Sequence, residues 1–328
     1  MLHNTFVSVV MPVYNGALYL KEAIESVLNQ SYSNFELIIL NDGSTDSTEN
    51  IILSFRDPRI VYIKNPENYK LIKTLNLGFS IARGAYIARM DADDISHPER
   101  LRKQVDFLEK HSDYGLVGTG VYLLNTENKK LLYHTDHFSL TFALAFYCPF
   151  IHPSVMIRKD VLDGMDVVFD TQYLHAEDYE LWTRLAFKTK MANIPEYLLD
   201  YRIHDAQISS QHSDFQTDLA LEIRRKYLEK RLKQNVNEFD FIFKLTNRNL
   251  TIIDKYLQIQ KLYSIDKKKS LFGGANLSRY MIQLWKNLFL ETSSLQGKDF
   301  YFFLTSRITW RSTWSIRQLF AIFIKTFK

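Results

Sequence analysis

The chain has 328 residues, more than one ordinary hydrophobic core needs, so its length predicts two domains or one large domain with an appendage. Hydrophobic residues make up 46% and aromatic residues 14% of it, which suffices for a packed core and excludes wholesale disorder. The net charge of +4 conceals an asymmetry, because residues 221–328 carry 21 Lys/Arg against 8 Asp/Glu, a net of +13, which leaves −9 for residues 1–220. The basic, aromatic-rich end is therefore expected to have its own partners: anionic lipid, nucleic acid or an acidic glycan.

The sequence also bears on cellular location. No apolar run reaches the ~18 residues that a membrane span needs. The stretch MLHNTFVSVVMPVYN has no basic segment ahead of an apolar core and enters a strand pattern at once, so we expect no signal peptide. The single cysteine, Cys148, has no partner for an internal disulfide. A cytosolic protein is therefore expected.

Short apolar runs alternate with helical periodicity over the first hundred residues. Buried strands are predicted for FVSVVM, which Pro12 closes, and for FELIIL, IVYIK and AYIARM. Amphipathic helices are predicted in ALYLKEAIESVLNQ, IILSF, KLIKTLNLGFSIAR and SHPERLRKQVDFLEKH. This alternation predicts an α/β fold, with a Rossmann-like, parallel, doubly wound sheet and helices on both of its faces.

Two of these helices are preceded by the spacing of a capping box. Asp46 is followed three residues later by Glu49, and Ser96 by Glu99, with Pro98 in the first turn of the later helix. We therefore expect these residues to start the two helices.

The alternation weakens beyond about residue 116. GLVGTGVYLL is predicted to be a strand, HPSVMIRKDVL a strand that turns into a helix, and AEDYELWTRLAFK a helix. From about Asp214 the pattern is helical and basic to the last residue. The sequence thus predicts an α/β domain at 1–213 and a helical region at 214–328.

Three polar loops are expected to meet at one edge of the sheet. PVYN, NDGS and DADD each follow a predicted strand, and ligands of such sheets bind at the carboxyl ends of the strands. The carboxylates of Asp91, Asp93 and Asp94 in DADD are hard donors that suit Mg²⁺ or Mn²⁺, and such an ion turns their repulsion into attraction. This edge is therefore the candidate ligand site.

The three acids of DADD are not expected to act alike. Alternate residues of a strand point the same way, so Asp91 and Asp93 are expected to share one ligand while Asp94 points elsewhere. The role of Asp94 stays open between the metal shell and the loop. The alternative is a solvated acidic loop in which Asp94 or Ser96 only caps the next helix.

Five ordered motifs together resemble the family-2 glycosyltransferases of the GT-A fold. The five motifs lie in four stretches of the chain, the first of which contains two of them. These stretches are VSVVMPVYNGALYLKEAIESVLNQSYSNFELIILNDGSTDST, LNLGFSIARGAYIARMDADDISHPERL, AEDYELWTRL and YRIHDAQIS. The resemblance covers roughly residues 5–210. It implies a catalytic GT-A domain at 1–213 and a nucleoside-diphosphate sugar donor, most often a UDP-sugar.

The resemblance also implies which residues bind the nucleotide. Pro12, Tyr14 and Asn15 match the loop that frames it, and Asp42 matches the acid that reads the base ring. A carboxylate can accept the imide N–H of uracil, a donor that cytosine lacks, which favours UDP. The alternative for Asp42 is a loop acid that bonds the backbone of its own turn.

Further matches concern the diphosphate and the reaction. Asp91, Ala92 and Asp93 match the motif that holds the ribose and the metal-bridged diphosphate, with Mn²⁺ or Mg²⁺ as the ion. His204 matches a residue near the diphosphate and the metal, and its neutral imidazole can join such a site. The alternative for His204 is a surface loop histidine. Asp178 matches the catalytic base.

The base lies in a pair of neighbouring acids, Glu177 and Asp178. Neighbours on a helix do not face the same way, so one can act as the base while the other bonds the backbone. Asp178 is favoured because the base of the family usually occupies the second position. The alternative is that both acids only complement the helix dipole. A base that deprotonates the acceptor hydroxyl permits in-line attack and inversion at the sugar carbon.

Two positions depart from the pattern of the family. Asn41 stands where the usual motif has a first aspartate, and Leu75 with Asn76 stands where many relatives have an arginine–asparagine pair. The charge of the phosphates would then fall to Lys70 or Lys73.

A narrower resemblance runs from HPSVMIRKDVLDG to YRIHDAQISS. It is similar to the bacterial lipooligosaccharide β-1,3-glycosyltransferases that transfer N-acetylglucosamine, N-acetylgalactosamine or galactose. It implies a growing lipooligosaccharide or another bacterial surface polysaccharide as the acceptor. His152 falls near the acceptor side, with a packed structural histidine as the alternative.

The basic end suits an enzyme with a lipid-linked acceptor on the cytoplasmic face of the inner membrane. Lys and Arg near an anionic leaflet contribute ~1 kcal/mol each, and an apolar surface that includes Trp314, Phe320 and Phe323 can lie in the interface. The alternative is a helix that packs on the catalytic domain. No nucleic-acid recognition motif is present, so nucleic acid is not expected as a partner.

Two other classes of function are the alternatives to an enzyme of this family. A catalytically silent scaffold that binds glycan or membrane could keep the same fold, but Asp42, Asp91, Asp93 and Asp178 are all present together. A dinucleotide-dependent oxidoreductase would need G-x-G-x-x-G after the first strand, where this chain has PVYNG.

Overall fold

The computed structural model describes residues 5–126, 129–204 and 213–233, with residues 261 and 264 in addition. The chain divides into two units, Met1–Ile223 and Arg224–Lys328, and every strand of the described residues belongs to the first. The predicted domain boundary at residue 213 stays a prediction. The segment predicted to contact a membrane, 313–328, lies outside the described residues.

Nine strands of the described chain form one sheet, and seven helices accompany it. The strands are β1 (Val7–Val13), β2 (Phe35–Asn41), β3 (Ile60–Lys64), β4 (Tyr86–Arg89), β5 (Ile95–Ser96), β6 (Tyr114–Leu124), β7 (Lys130–Leu131), β8 (Met156–Arg158) and β9 (Lys190–Arg202). The helices are α1 (Leu20–Leu28), α2 (Thr48–Ser54), α3 (Leu71–Ile81), α4 (Arg100–Lys110), α5 (His137–Ala143), α6 (Glu177–Leu185) and α7 (Ser213–Leu232). Within the described residues, no helix has the length and hydropathy that crossing a membrane requires.

The sheet combines a parallel half with a mixed half. Its order is β3-β2-β1-β4-β8-β6-β9-β5, with β7 beside β6. The strands β3, β2, β1 and β4 run parallel, as the alternating pattern predicts. β8 is antiparallel to both of its neighbours, β4 and β6, so the sheet is mixed beyond the four parallel strands that the alternating pattern predicts. The physical reason is that β8 is not reached from β4 by a single crossover helix, and its short apolar run carries no signal of direction.

Helices cover both faces of the parallel half, as predicted. Val9 of β1 packs with Ile24 of α1 and with α4 in one hydrophobic core. On the opposite face, Gly78 of α3 lies so close to the sheet that a Cβ there would be 2.6 Å from Val10 Cγ1 and 2.8 Å from Leu40 Cδ1. Successive residues of a strand face opposite sides of the sheet, and burial of each aliphatic side chain stabilises the fold by about 1.5–3 kcal/mol. Burial therefore fixes which residues of β1 and β2 face each helix layer.

The first strand continues through Pro12, past its predicted end. β4 pairs with β1 only as far as Val10, opposite Arg89, and the N–H of Met90 donates to the Val10 carbonyl at 3.1 Å. Pro12 lies two residues further on and faces the same side, where β4 has already ended. The N–H that proline lacks is therefore not needed by the sheet, and the loop with Tyr14 begins directly at the sheet edge.

The predicted start of the helix after DADD is wrong. α4 begins at Arg100, after an N-cap Glu99 whose side chain makes no capping hydrogen bond. Ser96 instead lies in β5, where it pairs with Leu199 of β9, and its hydroxyl accepts a hydrogen bond from Gln30 Nε2 at 3.1 Å. Residues 95 and 96 therefore pair with β9 as a strand, and they do not form the helix start that the capping-box spacing predicted.

The other capping box does not form either. The N–H of Thr48 donates to Asp46 Oδ1 at 3.0 Å, but Glu49 does not reach back to the start of α2. Its carboxylate accepts hydrogen bonds from Lys64 Nζ at 2.7 Å and from Tyr62 at 3.0 Å, both on β3. A cross-element ion pair therefore replaces the local contact.

Candidate active site

A cavity of about 1210 Å³ lies at the carboxyl ends of β1, β2 and β4. The loops PVYN, NDGS and DADD all reach it, as the position of ligand sites in α/β sheets predicts. The residues that were predicted as the base, the nucleotide-sugar site or the metal site all line this cavity: Pro12, Tyr14, Asn15, Asp42, Asp91, Ala92, Asp93, Asp178 and His204.

The first wall of the cavity is the loop after β1, which is tied to the loop after β2. Asn15 has a φ of +50°, a left-handed conformation that asparagine tolerates. Its Oδ1 accepts a hydrogen bond from the N–H of Thr45 at 2.8 Å, and its own N–H donates to Ser44 Oγ at 2.9 Å. The side chain of Asn15 therefore joins the two loops, while Tyr14, 50% exposed, offers its ring to a ligand.

Asp42 is buried at the end of β2 with its carboxylate held from neighbouring loops. Its Oδ1 accepts hydrogen bonds from Asn65 Nδ2 at 2.7 Å and from the N–H of Tyr69 at 2.9 Å. Gly43 has a φ of +71°, and a Cβ there would lie 2.6 Å from the carbonyl carbon of Glu67, so only glycine lets these loops approach. Asp42 is thus positioned by other segments rather than by its own turn.

Asn41, which precedes Asp42, has a structural role. Asn41 Oδ1 accepts a hydrogen bond from the N–H of Ser44 at 2.9 Å, and its Nδ2 donates to the Tyr62 hydroxyl at 3.1 Å. The amide satisfies both partners without adding a charge beside Asp42. These two hydrogen bonds account for the asparagine at this position.

Three carboxylates gather at the end of β4. Asp91, Asp93 and Asp94 each offer an oxygen, and these oxygens lie within 4.8 Å of one another. The expectation that Asp94 points away is wrong, because β4 ends at Arg89 and residues 91–94 form a turn in which strand alternation does not apply. All three acids belong to one cluster.

The second oxygen of Asp94 makes this cluster unusual. Its Oδ1 accepts a hydrogen bond from the N–H of Arg202 at 2.9 Å, but Oδ2 is buried with no hydrogen-bond partner. Burial, with the charges of Asp91 and Asp93 in addition, raises the pKa of Asp94 well above its usual range. Burial likewise raises the pKa of Asp91. A cation among these oxygens would relieve both penalties.

His204 adjoins this cluster at Asp93, although it is 111 residues from Asp93 along the chain. Its Nε2 lies 2.8 Å from Asp93 Oδ2, so the alternative of an isolated surface histidine does not describe it. Hard carboxylate oxygens with one imidazole form a donor set that suits Mn²⁺ or Mg²⁺. Together with the buried, unpartnered oxygen of Asp94, this set fits a divalent cation.

The two acids of the AED motif begin α6, and both line the cavity. Asp178 Oδ1 accepts a hydrogen bond from the N–H of Tyr179 at 2.6 Å, and its Oδ2 lies 3.9 Å from His152 Nδ1. Burial raises the pKa of Asp178 to about 6 and that of Glu177 to about 7. The side chain of Asp178 is 22% exposed, whereas Glu177 is 4% exposed. Asp178 is therefore the more accessible of the two acids.

The sequence contains only weak indications that His152 and Arg89 belong to this cavity. His152 adjoins Asp178, and burial holds its pKa well below the usual range, so its imidazole is neutral. Arg89 is buried next to Asp91, and the only sequence signal for it was a charged residue inside an apolar strand. Lys70 lines the cavity but Lys73 does not, so Lys70 is the better placed of the two for a phosphate.

An α/β sheet with an acidic cluster at its carboxyl edge and a separate carboxylate facing the same cavity is the arrangement that the resemblance to GT-A glycosyltransferases implies. Residues 8–165 match the family described as Glycosyl transferase family 2. An uncharacterized glycosyltransferase of Haemophilus influenzae is 31% identical, over 84% of this chain and 85% of its own. The O-antigen biosynthesis glycosyltransferase WbnJ of Escherichia coli is 34% identical, over 61% of this chain and 80% of its own. The chain belongs to glycosyltransferase family 2 and is a glycosyltransferase.

Solved structures agree on the fold. S. aureus TarS 1-349 in complex with UDP-GlcNAc has a TM-score of 0.58 at 16% identity, over 87% of this chain and 85% of its own. The mannosyltransferase PcManGT of Pyrobaculum calidifontis, in complex with GDP-Man and Mn²⁺, has a TM-score of 0.52 at 15% identity, over 98% and 86%. The predicted GT-A fold is confirmed.

Proposed function

We propose that this protein is an inverting, metal-dependent glycosyltransferase that moves a sugar from a UDP-sugar to a glycan acceptor. The observation that carries the proposal is that the cluster of Asp91, Asp93 and His204 lines the same cavity as the accessible carboxylate of Asp178. One group of residues thus suits the diphosphate of a donor, and the other suits the hydroxyl of an acceptor.

The nucleotide would occupy the side of the cavity formed by Tyr14, Asp42 and Lys70. Asp42 has one oxygen fixed by Asn65 and Tyr69, which aims the carboxylate as an acceptor for the imide N–H of uracil. The structure of TarS with UDP-GlcNAc supports a UDP-sugar in this fold. GlcNAc, GalNAc and Gal are the sugars that we propose.

Asp91 and Asp93, with His204, would hold the divalent cation. When bound, Mn²⁺ or Mg²⁺ supplies positive charge that offsets the charge developing on the departing diphosphate. The Mn²⁺ in the complex of PcManGT supports a divalent metal for this fold. The carboxylates also fix the position of the diphosphate relative to Asp178, which orients the sugar for attack.

Asp178 would act as the base. It takes the proton from the acceptor hydroxyl as the oxygen forms its bond to the anomeric carbon, while the bond from that carbon to the diphosphate breaks and UDP leaves. Attack in line with the leaving group inverts the anomeric configuration in a single displacement. Glu177 is nearly inaccessible, so it is the less suitable base.

A donor screen tests the proposal directly. The full chain is incubated with Mn²⁺ and, in turn, UDP-GlcNAc, UDP-GalNAc, UDP-Gal, UDP-Glc and GDP-Man, and the released nucleotide is measured. We expect release from at least one UDP-sugar and much less from GDP-Man. Release from GDP-Man alone would overturn the assignment of the base ring to Asp42. The alternative function, a catalytically silent scaffold, predicts no release from any donor.

The pH dependence of turnover is expected to follow the ionisation of Asp178. Only the deprotonated carboxylate accepts a proton, and burial places the pKa of Asp178 at about 6. The turnover number should therefore fall as the pH drops through about 6 and level off above it. Initial rates between pH 5 and 8 with saturating donor provide the measurement. A rate that stays constant from pH 5 to 7 would argue against this base.

The acceptor that we propose is a growing lipooligosaccharide or another bacterial surface polysaccharide, as the kinship with an O-antigen enzyme supports. We also propose that residues 1–213 form the catalytic domain, and that 214–328 help to hold the enzyme at an anionic membrane surface. Residues 221–328 carry a net charge of +13, which attracts anionic lipid.

Deletion of residues 313–328 is expected to weaken sedimentation with vesicles that contain phosphatidylglycerol, because it removes basic and aromatic residues together. Vesicles of phosphatidylcholine alone are the control and should bring down little of either protein. Equal sedimentation of the full and shortened chains with the anionic vesicles would contradict the proposal.

A further inference from the structure

One buried cation lies between the two groups of acids in the cavity. Arg89 is the last residue of β4 and is 2% exposed. Of the Lys and Arg residues that line the cavity within the described chain, Lys70 is exposed and only Arg89 is buried. A buried guanidinium is costly unless nearby charges compensate it, so its presence here requires a partner.

The side-chain partner of Arg89 is a carboxylate rather than the backbone. Its Nη1 forms an ion pair with Asp91 Oδ1, and its Nε is buried with no hydrogen-bond partner. Other arginines of the sheet behave differently: Arg100 donates to the carbonyls of Arg89 and Pro153, and Arg158 to that of Leu108. No such bond ties the guanidinium of Arg89 to a carbonyl in the part of the chain that the structure describes.

The charge of Arg89 acts on both sides of the cavity. It lowers the pKa of Asp91 and Asp94 in the cation cluster, and that of Glu177 and Asp178 at the start of α6, in opposition to burial. These four acids come from two segments more than 80 residues apart. Arg89 is thus the one cavity residue described here whose buried charge both groups share.

We propose that Arg89 is a positioning residue of the transfer reaction: its guanidinium fixes the Asp91 carboxylate and, from the same place, provides the counter-charge for the base Asp178. This rests on the proposed function, in which both acids act. An arginine suits this position because it stays charged when buried, whereas a buried lysine loses its charge readily.

Other groups around Asp178 do not supply this charge. The thiol of Cys148 lies 4.0 Å from Asp178 Oδ2, and burial raises its pKa well above the usual range, so it stays neutral. His152, at 3.9 Å, is neutral as well, because burial lowers its pKa. Glu177 and Asp91 are acids and oppose the ionisation of Asp178. The counter-charge in this set is that of Arg89.

The test compares Arg89→Gln and Arg89→Lys with the wild type, and uses Arg158→Lys as the matched control. Arg158 lies on β8, the strand next to β4, and donates to the Tyr86 hydroxyl at 3.1 Å, but it does not line the cavity. Thermal unfolding establishes that each variant is folded. Turnover is then measured from pH 5 to 9 with the donor that the wild type uses, and UDP binding is measured by calorimetry.

For Arg89→Gln we expect the acidic limb of the pH profile, where the turnover number falls, to move up by about one pH unit or more. The turnover number at pH 7 should fall about tenfold or more, because Asp178 then keeps its proton at that pH. Arg89→Lys should recover part of the loss, and Arg158→Lys should keep the limb of the wild type. A folded Arg89→Gln protein with an unchanged limb would overturn the proposal, and so would an equal shift in Arg158→Lys.

A second readout separates this inference from the proposed function. The ionisation of Asp178 can be followed in the metal-free protein by carbon-13 NMR of its carboxyl group, with Asp178→Asn identifying the signal. Its midpoint should rise in Arg89→Gln even if none of the tested donors is a substrate. A midpoint that does not change would overturn the role of Arg89 and leave the proposed transferase activity untouched.

Discussion

Replacement of Asp178 by asparagine is expected to lower the turnover number by about a thousandfold or more, while UDP binds as it does to the wild type. Asparagine has the shape of aspartate but cannot take a proton. Its side-chain oxygen can still accept the hydrogen bond from the N–H of Tyr179, so the start of α6 should keep its structure. The defect should therefore appear in the chemical step and not in binding.

The neighbouring acid provides the matched control for this experiment. Glu177→Gln changes the same functional group one residue away, in the same turn of α6. Because Glu177 is almost inaccessible, we expect a much smaller loss, within about tenfold. Turnover with the active donor and calorimetry with UDP give both quantities for each variant. Normal turnover in Asp178→Asn together with a dead Glu177→Gln would move the role of base to Glu177.

Removal of divalent cations is expected to abolish turnover, and added Mn²⁺ should restore it. Without the cation, the charge on the departing diphosphate would be met only by the side chains of the cavity, where neutralisation by a metal contributes several kcal/mol. Asp93→Asn should raise the Mn²⁺ concentration for half-maximal activity by about 10- to 100-fold, because it removes one charged ligand and the partner of His204.

The metal site can also be tested without any substrate. A cation that binds only the folded protein stabilises it, so Mn²⁺ should raise the unfolding temperature of the wild type and raise it less in Asp93→Asn. Asp113→Asn is the control, because Asp113 is an exposed acid that pairs with Lys190 away from the cavity. Full turnover in the presence of excess chelator would contradict the metal requirement.

Much of the site could be predicted from the sequence because its residues directly follow buried strands. The runs that became β1, β2 and β4 are buried over their whole length, and parallel strands place their carboxyl ends at one edge. The loops with Tyr14, Asp42 and Asp93 therefore had to meet. The pair Glu177 and Asp178 could be found by motif, since it opens a clear amphipathic helix.

Local patterns were wrong where pairing with distant strands decided the backbone. Ser96 has the position of a helix cap in the sequence, but it pairs with Leu199 of β9 and is therefore a strand residue. Asp94 follows a strand, but the turn after Arg89 brings it back to the other two acids. Neither outcome is encoded within a few residues of the position concerned, because each depends on the partner segment.

The α/β order of elements, the edge at which the ligand site lies, and the types of residue that face it follow from the amino-acid sequence, since periodicity and strand-to-loop junctions are local properties. Three contacts depend on the fold of the whole domain: His204 lies against Asp93, Asp94 joins the other two acids, and Arg89 adjoins Asp91. These contacts are set by the register of β4, β5 and β9, and by the burial of Asp94 and Arg89 beside other charged groups.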